Sequence, residues 1–276
     1  MTSTGLSSVV SIIDRQAQAA RENSAAPIPQ TIELASARRA LMVGGLVFDM
    51  AGVLYEGTVC QRSLWQLLLR LGVQTDYERF CETWEGEYLD EVNRGARSYE
   101  EAQHAFLRSL GLCAAHVEEV QAASHIRGGE LESGVRPLPG VCATMAKLAS
   151  SGFRLAVLAN SWCPAEALRN MLDRLGLSTF IPVVLSSCDL GATKPAAECY
   201  HTTLSTMGIA ARQTIYVGRE PRSLAGATKV GMQTVAFNYV PGAKADRYIQ
   251  RFDELAELVQ LPPVGQSGSR HDRTAA

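Results

Sequence analysis

The chain has 276 residues, of which 46% are apolar, and this is enough to form the buried core of an α/β domain. Its 26 basic and 28 acidic residues give a formal net charge of -2, so the basic surface typical of a nucleic-acid-binding protein is missing. We therefore expect no nucleic-acid partner. Seven cysteines are spread along the chain without a C-x-x-C pair, a pattern that disfavours both a zinc site and a disulfide framework.

The first 42 residues are rich in Ala, Ser, Gln and Arg and are interrupted by Pro27 and Pro29. We predict a flexible N-terminal arm for residues 1–42. This segment lacks the basic start and apolar core of a signal peptide, and no later segment is apolar over the length that crosses a bilayer. These features predict a cytoplasmic protein without a membrane partner. The polar residues 262–276 predict a disordered tail.

The first regular element is an apolar run at residues 43–49, VGGLVFD, which has the length and content of a buried parallel strand. The run ends at Asp49, and a turn containing Gly52 follows. In open α/β sheets, the functional site is formed at the carboxyl ends of the strands. Asp49 is therefore the first candidate site residue.

Residues 57–135 have apolar residues three and four positions apart, which predicts helices throughout this block. From residue 136 onwards, predicted strands and helices alternate, as in a parallel sheet with helices on both faces. We therefore predict a Rossmann-like α/β core, formed by residues 43–56 and 136–261, with an all-helical insertion after the first strand. The later predicted strands are residues 153–160, 181–187, 213–218 and 232–238, and a last helix is predicted near residues 252–259.

Several polar side chains follow these strands and should meet at one edge of the sheet, because the carboxyl ends of neighbouring parallel strands converge. They are Asp49, then Asn160 and Ser161 after the second strand, Lys194 in the segment GATKP, and residues 218–220. A carboxylate, a lysine able to hold a phosphate, and a further acid able to complete a metal site are the components of an aspartyl-enzyme mechanism.

The segments FDMAGVL, PLPGV, LAVLANS, GATKPAAECY, YVG and GATKVGM resemble, in order and spacing, the motifs of the haloacid dehalogenase superfamily over about residues 43–258. The resemblance implies a hydrolase in which Asp49 is the nucleophile and Lys194 neutralises charge. It also implies that the helical insertion, residues 57–135, is a cap over the substrate. An acid of the fourth motif binds Mg²⁺ in this superfamily, and here Glu220 would do so together with Asp49.

The resemblance further implies that the loops after the first two strands bind the substrate. These contacts would come from Ala51, Gly52, Asn160 and Ser161. The implied activity is hydrolysis of a small phosphorylated metabolite or a related substrate, with a small molecule as the binding partner.

Three positions depart from the pattern of the superfamily's phosphatases. Ala51 stands where an aspartate acts as general acid and base, and loss of such a group slows a reaction about 10²- to 10⁴-fold. Ala159 replaces the usual Ser or Thr of the second motif, and Arg219 replaces the first acid of the fourth. A cation at position 219 opposes Mg²⁺ binding in a low-dielectric cleft unless Glu220 turns inward, so the sequence leaves the Mg²⁺ cofactor open.

Two other branches of the superfamily tolerate some of these losses. Phosphonoacetaldehyde hydrolases also have Ala at the position of Ala51, but they need a cap lysine, and residues 51–135 contain none. Haloacid dehalogenases proper need no metal, yet they carry Tyr at that position and Asp where Ser223 falls. The missing acids also support an alternative hypothesis, in which the domain is catalytically inactive and its cleft binds a ligand or a protein.

Overall fold

The computed structural model describes residues 43–56 and 59–259, without the side chains of residues 59–60 and 127–133. The N-terminal arm and the tail predicted from the sequence lie outside the described residues. The described part has an α/β fold with a parallel sheet, helices on both faces, and a helical insertion after the first strand. The predicted fold class is therefore confirmed, whereas the limits assigned to core and cap stay a prediction.

A parallel sheet forms the centre of the molecule. Its strands are β1 Gly45–Phe48, β2 Arg154–Ala159, β3 Val183–Ser186, β4 Thr214–Gly218, β5 Gln233–Phe237 and β6 Arg247–Ile249. Within the described residues these six strands are parallel and lie in the order β3-β2-β1-β4-β5-β6. Strand β1 is buried along its whole length between β2 and β4. This position places the next residue, Asp49, at the centre of the carboxyl edge.

The insertion after β1, which we call the cap, has its own apolar core. Its elements are α1 Val59–Arg70, α2 Tyr77–Thr83, a π-helical segment Trp84–Leu89, α3 Asp90–Asn93, α4 Tyr99–Ser109 and α5 Ala114–Gly134. Aromatic rings fill the centre of the cap, where Phe80, Trp84 and Phe106 pack together. Helix α4 begins at a capping box, in which Ser98 and Glu101 each accept a hydrogen bond from the other's backbone N–H.

Helices cover both faces of the sheet. They are α6 Val141–Ser150, α7 Ala165–Arg174, α8 Ser187–Leu190, α9 Ala197–Met207, α10 Pro221–Lys229 and α11 Glu254–Leu258. Alternate residues of β1 point to opposite faces, so Leu46 and Phe48 join one buried cluster and Val47 joins the other. The first cluster receives side chains from α6, α7 and α11, and the second from α9 and α10. Across the part of the chain described here, no helix has the length and apolar character needed to span a membrane.

Two hydrogen bonds hold the cap on the core beside the loop that carries Lys194. The Ser187 hydroxyl donates to the backbone carbonyl of Asn93 at 2.6 Å. The Thr193 hydroxyl donates to the Asp90 carboxylate at 2.9 Å. Helix α3 is thereby bound both to α8 and to the residue immediately before Lys194.

Two close contacts accompany these hydrogen bonds. Gly95 lies so near the backbone of α8 that a Cβ atom on it would be 2.8 Å from the carbonyl oxygen of Cys188. The rings of Tyr99 in the cap and Trp162 after β2 pack with their centroids 4.9 Å apart. The cap therefore packs against the core at the carboxyl edge of the sheet, and we call the space between them the cleft.

Candidate active site

The structure brings Asp49 and Lys194 together at the centre of the carboxyl edge. The Nζ atom of Lys194 is 2.8 Å from Oδ1 of Asp49, and the two side chains are 1% and 14% exposed. The backbone N–H of Asp49 donates to the carbonyl of Val217, which continues the pairing of β1 with β4. Oδ1 of Asp49 also accepts a hydrogen bond from the N–H of Met50 at 2.9 Å. The carboxylate is therefore fixed at the floor of the cleft.

Tyr216 is a third member of this buried group. The Lys194 ammonium donates to the Tyr216 hydroxyl at 3.0 Å and to the Leu158 carbonyl at 2.7 Å. The Tyr216 hydroxyl in turn donates to Oδ2 of Asp49 at 3.3 Å. Burial raises the pKa of Tyr216 well above its ordinary value, and the Asp49 charge raises that pKa further, so the phenol stays a proton donor. Tyr216 could not be recognised from the sequence, because it lies within an apolar strand pattern.

The Tyr216 ring has room because Gly218, two residues later on the same face of β4, has no side chain. A Cβ atom on Gly218 would be 2.5 Å from Cε1 of Tyr216. The Tyr216 ring also meets the Tyr200 ring edge-on, with centroids 5.7 Å apart. The Tyr200 hydroxyl donates to the backbone carbonyl of Ser223 at 2.7 Å.

Asn160 and Ser161 follow β2, as predicted, and Asn160 supports the loop that carries Lys194, whereas Ser161 bonds to Cys163 and to Ser187 at the start of α8. The Asn160 side chain accepts from the backbone N–H of Lys194 at 2.8 Å and donates to the carbonyl of the same residue at 3.1 Å. The Ser161 hydroxyl accepts from the N–H of Cys163, while the Ser161 N–H donates to the Ser187 hydroxyl. Contact of either residue with a substrate stays a prediction.

The first loop brings Ala51 and Gly52 to the same edge. Ala51 is exposed, and Gly52 is buried with a φ of +75°, a conformation that favours glycine. The Gly52 carbonyl accepts a hydrogen bond from the Asn238 side chain at 2.9 Å. A Cβ atom on Gly52 would lie 2.6 Å from both Cδ and Nη1 of Arg219. The guanidinium of Arg219 therefore packs directly against the loop that follows the nucleophile position.

Two glutamates lie beside Arg219, one from the core and one from the cap. Nε of Arg219 is 3.2 Å from Oε1 of Glu220, and Glu85 accepts a hydrogen bond from the Gln61 side chain at 2.9 Å. Partial desolvation raises the pKa of the half-exposed Glu220, the positive charge of Arg219 lowers it, and the negative charge of Asp49 raises it. Glu85 is exposed, and partial desolvation by the groups around it raises its pKa; the charge of Glu220 raises that pKa further, and the charge of Arg219 lowers it. Glu85 could not be recognised from the sequence, where it resembles any other charged residue on a helix surface.

The chain is similar to proteins of a known family. Residues 46–237 match the family model described as haloacid dehalogenase-like hydrolase, and this match covers more than half of the chain. The chain belongs to this family. The superfamily resemblance inferred from the motifs is thereby confirmed.

Individual members of the haloacid dehalogenase-like family include phosphatases and dehalogenases similar to this chain. It is 24% identical to a phosphoglycolate phosphatase of Yersinia pestis over 230 residues, which cover 80% of this chain and 95% of that protein. A predicted phosphoglycolate phosphatase from Haemophilus somnus 129PT superposes with a TM-score of 0.62 at 20% identity, covering 79% and 99% of the two chains. A 2-haloacid dehalogenase of Pseudomonas syringae pv. tomato DC3000 superposes with a TM-score of 0.55 at 20% identity, covering 79% of this chain and 98% of that one. These two solved structures support the shared fold.

Phosphatases of the haloacid dehalogenase-like family typically use Mg²⁺, so the contacts of the candidate ligands are informative. No group of three His, Cys, Asp or Glu side chains that could hold a metal occurs among the described residues. Both oxygens of Asp49 are already contacted by donors, and Glu220 faces the cation of Arg219. A guanidinium at this place repels a divalent cation. The residues present do not fit a Mg²⁺ site, and the ligand roles of Asp49 and Glu220 stay a prediction.

Proposed function

We propose that the protein is a hydrolase in which Asp49 attacks the phosphorus of a small phosphorylated metabolite. The main support is the carboxylate at the centre of the sheet edge, 2.8 Å from the buried ammonium of Lys194 and accessible from the cleft. A carboxylate in such a place acts as a covalent nucleophile, and the lysine offsets charge near the transferring group. The phosphatases among the similar proteins support a phosphorylated substrate.

The reaction consists of two displacements at phosphorus. In the first, an oxygen of Asp49 forms a bond to phosphorus while the bond from phosphorus to the leaving oxygen breaks. In the second, water attacks the aspartyl phosphate, the bond between phosphorus and Asp49 breaks, and inorganic phosphate leaves. Ala51 has no proton to give, so the leaving oxygen must take one from water, at a cost of about 10²- to 10⁴-fold in rate. We therefore expect faster turnover of acyl and aryl phosphates, whose leaving groups need no proton.

The test is an assay of the purified protein against acetyl phosphate, p-nitrophenyl phosphate, sugar phosphates and 2-haloacids. Each substrate is assayed with Mg²⁺ and with EDTA. Turnover should fall to background in Asp49→Asn and stay unchanged in Asp173→Asn, a matched change at an exposed residue of α7. Equal rates for the wild type and Asp49→Asn on every substrate would contradict the proposal.

A second candidate function is ligand or protein binding without catalysis. It is favoured by Ala51, which lacks an acid, and by the three donors that already contact the Asp49 carboxylate. Under this alternative, no substrate of the panel is turned over by any variant, and binding is the activity that remains. Loss of turnover in Asp49→Asn would rule it out.

A further inference from the structure

Two cationic side chains contact the first loop of the cleft. Lys194 contacts Asp49 itself, whereas Arg219 packs against Gly52, three residues later. The Arg219 side chain is only 19% exposed. Its Nε–H is buried and makes no hydrogen bond to any described residue, because the contact with Glu220 lacks hydrogen-bond geometry. Buried N–H groups normally have an acceptor, so this guanidinium has donor capacity that the protein does not use.

The chemistry of the group matches an oxyanion. A guanidinium presents several N–H donors in a planar fork that fits two oxygens of a phosphate, and it stays positively charged at any physiological pH. In this chain it occupies the position where the family's phosphatases carry the first acid of the fourth motif. It therefore supplies positive charge where those enzymes supply a carboxylate and a metal.

Nearby carboxylates compete for Arg219 without neutralising it fully. Glu220 is half exposed, so water weakens its ion pair with the guanidinium. Glu85 faces the same group from the cap and already accepts a hydrogen bond from Gln61. A phosphate bound in the cleft can therefore replace Glu220 as the partner of the fork while Lys194 remains with Asp49.

We propose that the cleft contains a metal-independent phosphate site, in which Arg219 binds the phosphoryl oxygens that a Mg²⁺ ion binds in the family's phosphatases. This inference rests on the proposed function, because it assumes a phosphorylated substrate. It extends that function by naming the residue that holds the transferring group and by removing the need for a divalent cation.

Calorimetric titration with inorganic phosphate tests the site without requiring turnover. The wild type should bind phosphate with the same affinity in EDTA and in Mg²⁺. Arg219→Gln should weaken binding about 10- to 100-fold, the range expected when hydrogen bonds to a charged group are lost. Arg222→Gln, an exposed arginine of α10, is the matched control and should leave affinity unchanged. Arg219→Asp, which restores the family's acid, should make phosphate binding depend on Mg²⁺.

Three results would overturn the inference: phosphate binding by the wild type only with Mg²⁺, equal affinity in Arg219→Gln, or no phosphate binding in either condition. If Arg219→Gln does not fold, phenylglyoxal modification of the wild type replaces it. Phosphate in EDTA should then protect Arg219, mapped by peptide mass, and absence of protection counts against the site.

The outcome is separable from that of the proposed function. Phosphate binding that depends on Arg219, without turnover by any variant, would support the site and remove the hydrolase. Turnover that requires both Asp49 and Mg²⁺ would support the hydrolase and remove the metal-independent site.

Discussion

Replacing Lys194 by methionine should destabilise the fold through the charge that it leaves behind. The lysine side chain is 1% exposed and pairs with the Asp49 carboxylate, which is 14% exposed. In Lys194→Met, that carboxylate keeps its hydrogen bonds from Met50 and Tyr216 but loses its countercharge. The carbonyl of Leu158 also loses the donor that Lys194 provides.

The magnitude follows from the burial of the pair. Removing one partner of a buried ion pair costs about 3 to 5 kcal/mol, because an uncompensated charge stays buried. Asp49 is still partly exposed and keeps two hydrogen bonds, so we expect a loss of unfolding free energy at the lower end of this range, about 3 kcal/mol. With a Tm shift of about 2 to 4 °C per kcal/mol for a domain of this size, Tm should fall by roughly 6 to 12 °C. The double variant Asp49→Asn/Lys194→Met, which removes both charges, should lose less than Lys194→Met alone.

Urea unfolding and thermal melting measure both effects. Lys147→Met, at an exposed position of α6, is the matched control and should change stability by less than about 0.5 kcal/mol. A loss below about 1 kcal/mol in Lys194→Met, or a larger loss in the double variant than in the single one, would refute the argument that the pair is buried and mutually dependent.

Two further predictions concern the residues around Arg219. Gly52→Ala should lower the free energy of unfolding, measured in urea, more than Gly72→Ala does. Both glycines have a positive φ, but only at Gly52 would the new Cβ atom clash with a neighbour, Arg219. The raised pKa of Glu85 means that its folded form holds a proton to higher pH than its unfolded form, so its contribution to stability is present at acid pH and is lost as pH rises through the folded pKa. Above the ordinary carboxyl range, Tm should therefore fall less with rising pH in Glu85→Gln than in the wild type. Identical profiles of Tm against pH for the wild type and Glu85→Gln would contradict the raised pKa of Glu85.

Much of the core could be predicted because its pattern is local. Strands buried on both faces are continuous apolar runs, and β1, β2, β4 and β5 each lie within a predicted segment. The meeting of Asp49 with Lys194 followed from the convergence of parallel strand ends, although the two residues are far apart in sequence. Topology alone therefore predicted this contact.

Other features depend on contacts that no local pattern carries. Strand β6 was not predicted, because it has three residues of which two are exposed, and this is too short to show a period. The role of Tyr216 depends on the hydroxyl reaching across to the end of a neighbouring strand. The direction of Arg219 depends on the space left by Gly52, and the proximity of Glu85 depends on how the cap sits on the core.

The close approach of Gly95 to α8 limits which caps this core can accept. A chimera that received its insertion from another hydrolase would need glycine at that position, because any side chain would collide with the backbone oxygen of Cys188. It would also need an acceptor equivalent to Asp90 for the Thr193 hydroxyl. A graft that kept the donor's helices but lacked these two features would seat the transplanted module in a different orientation, and so would change the volume available above the nucleophile.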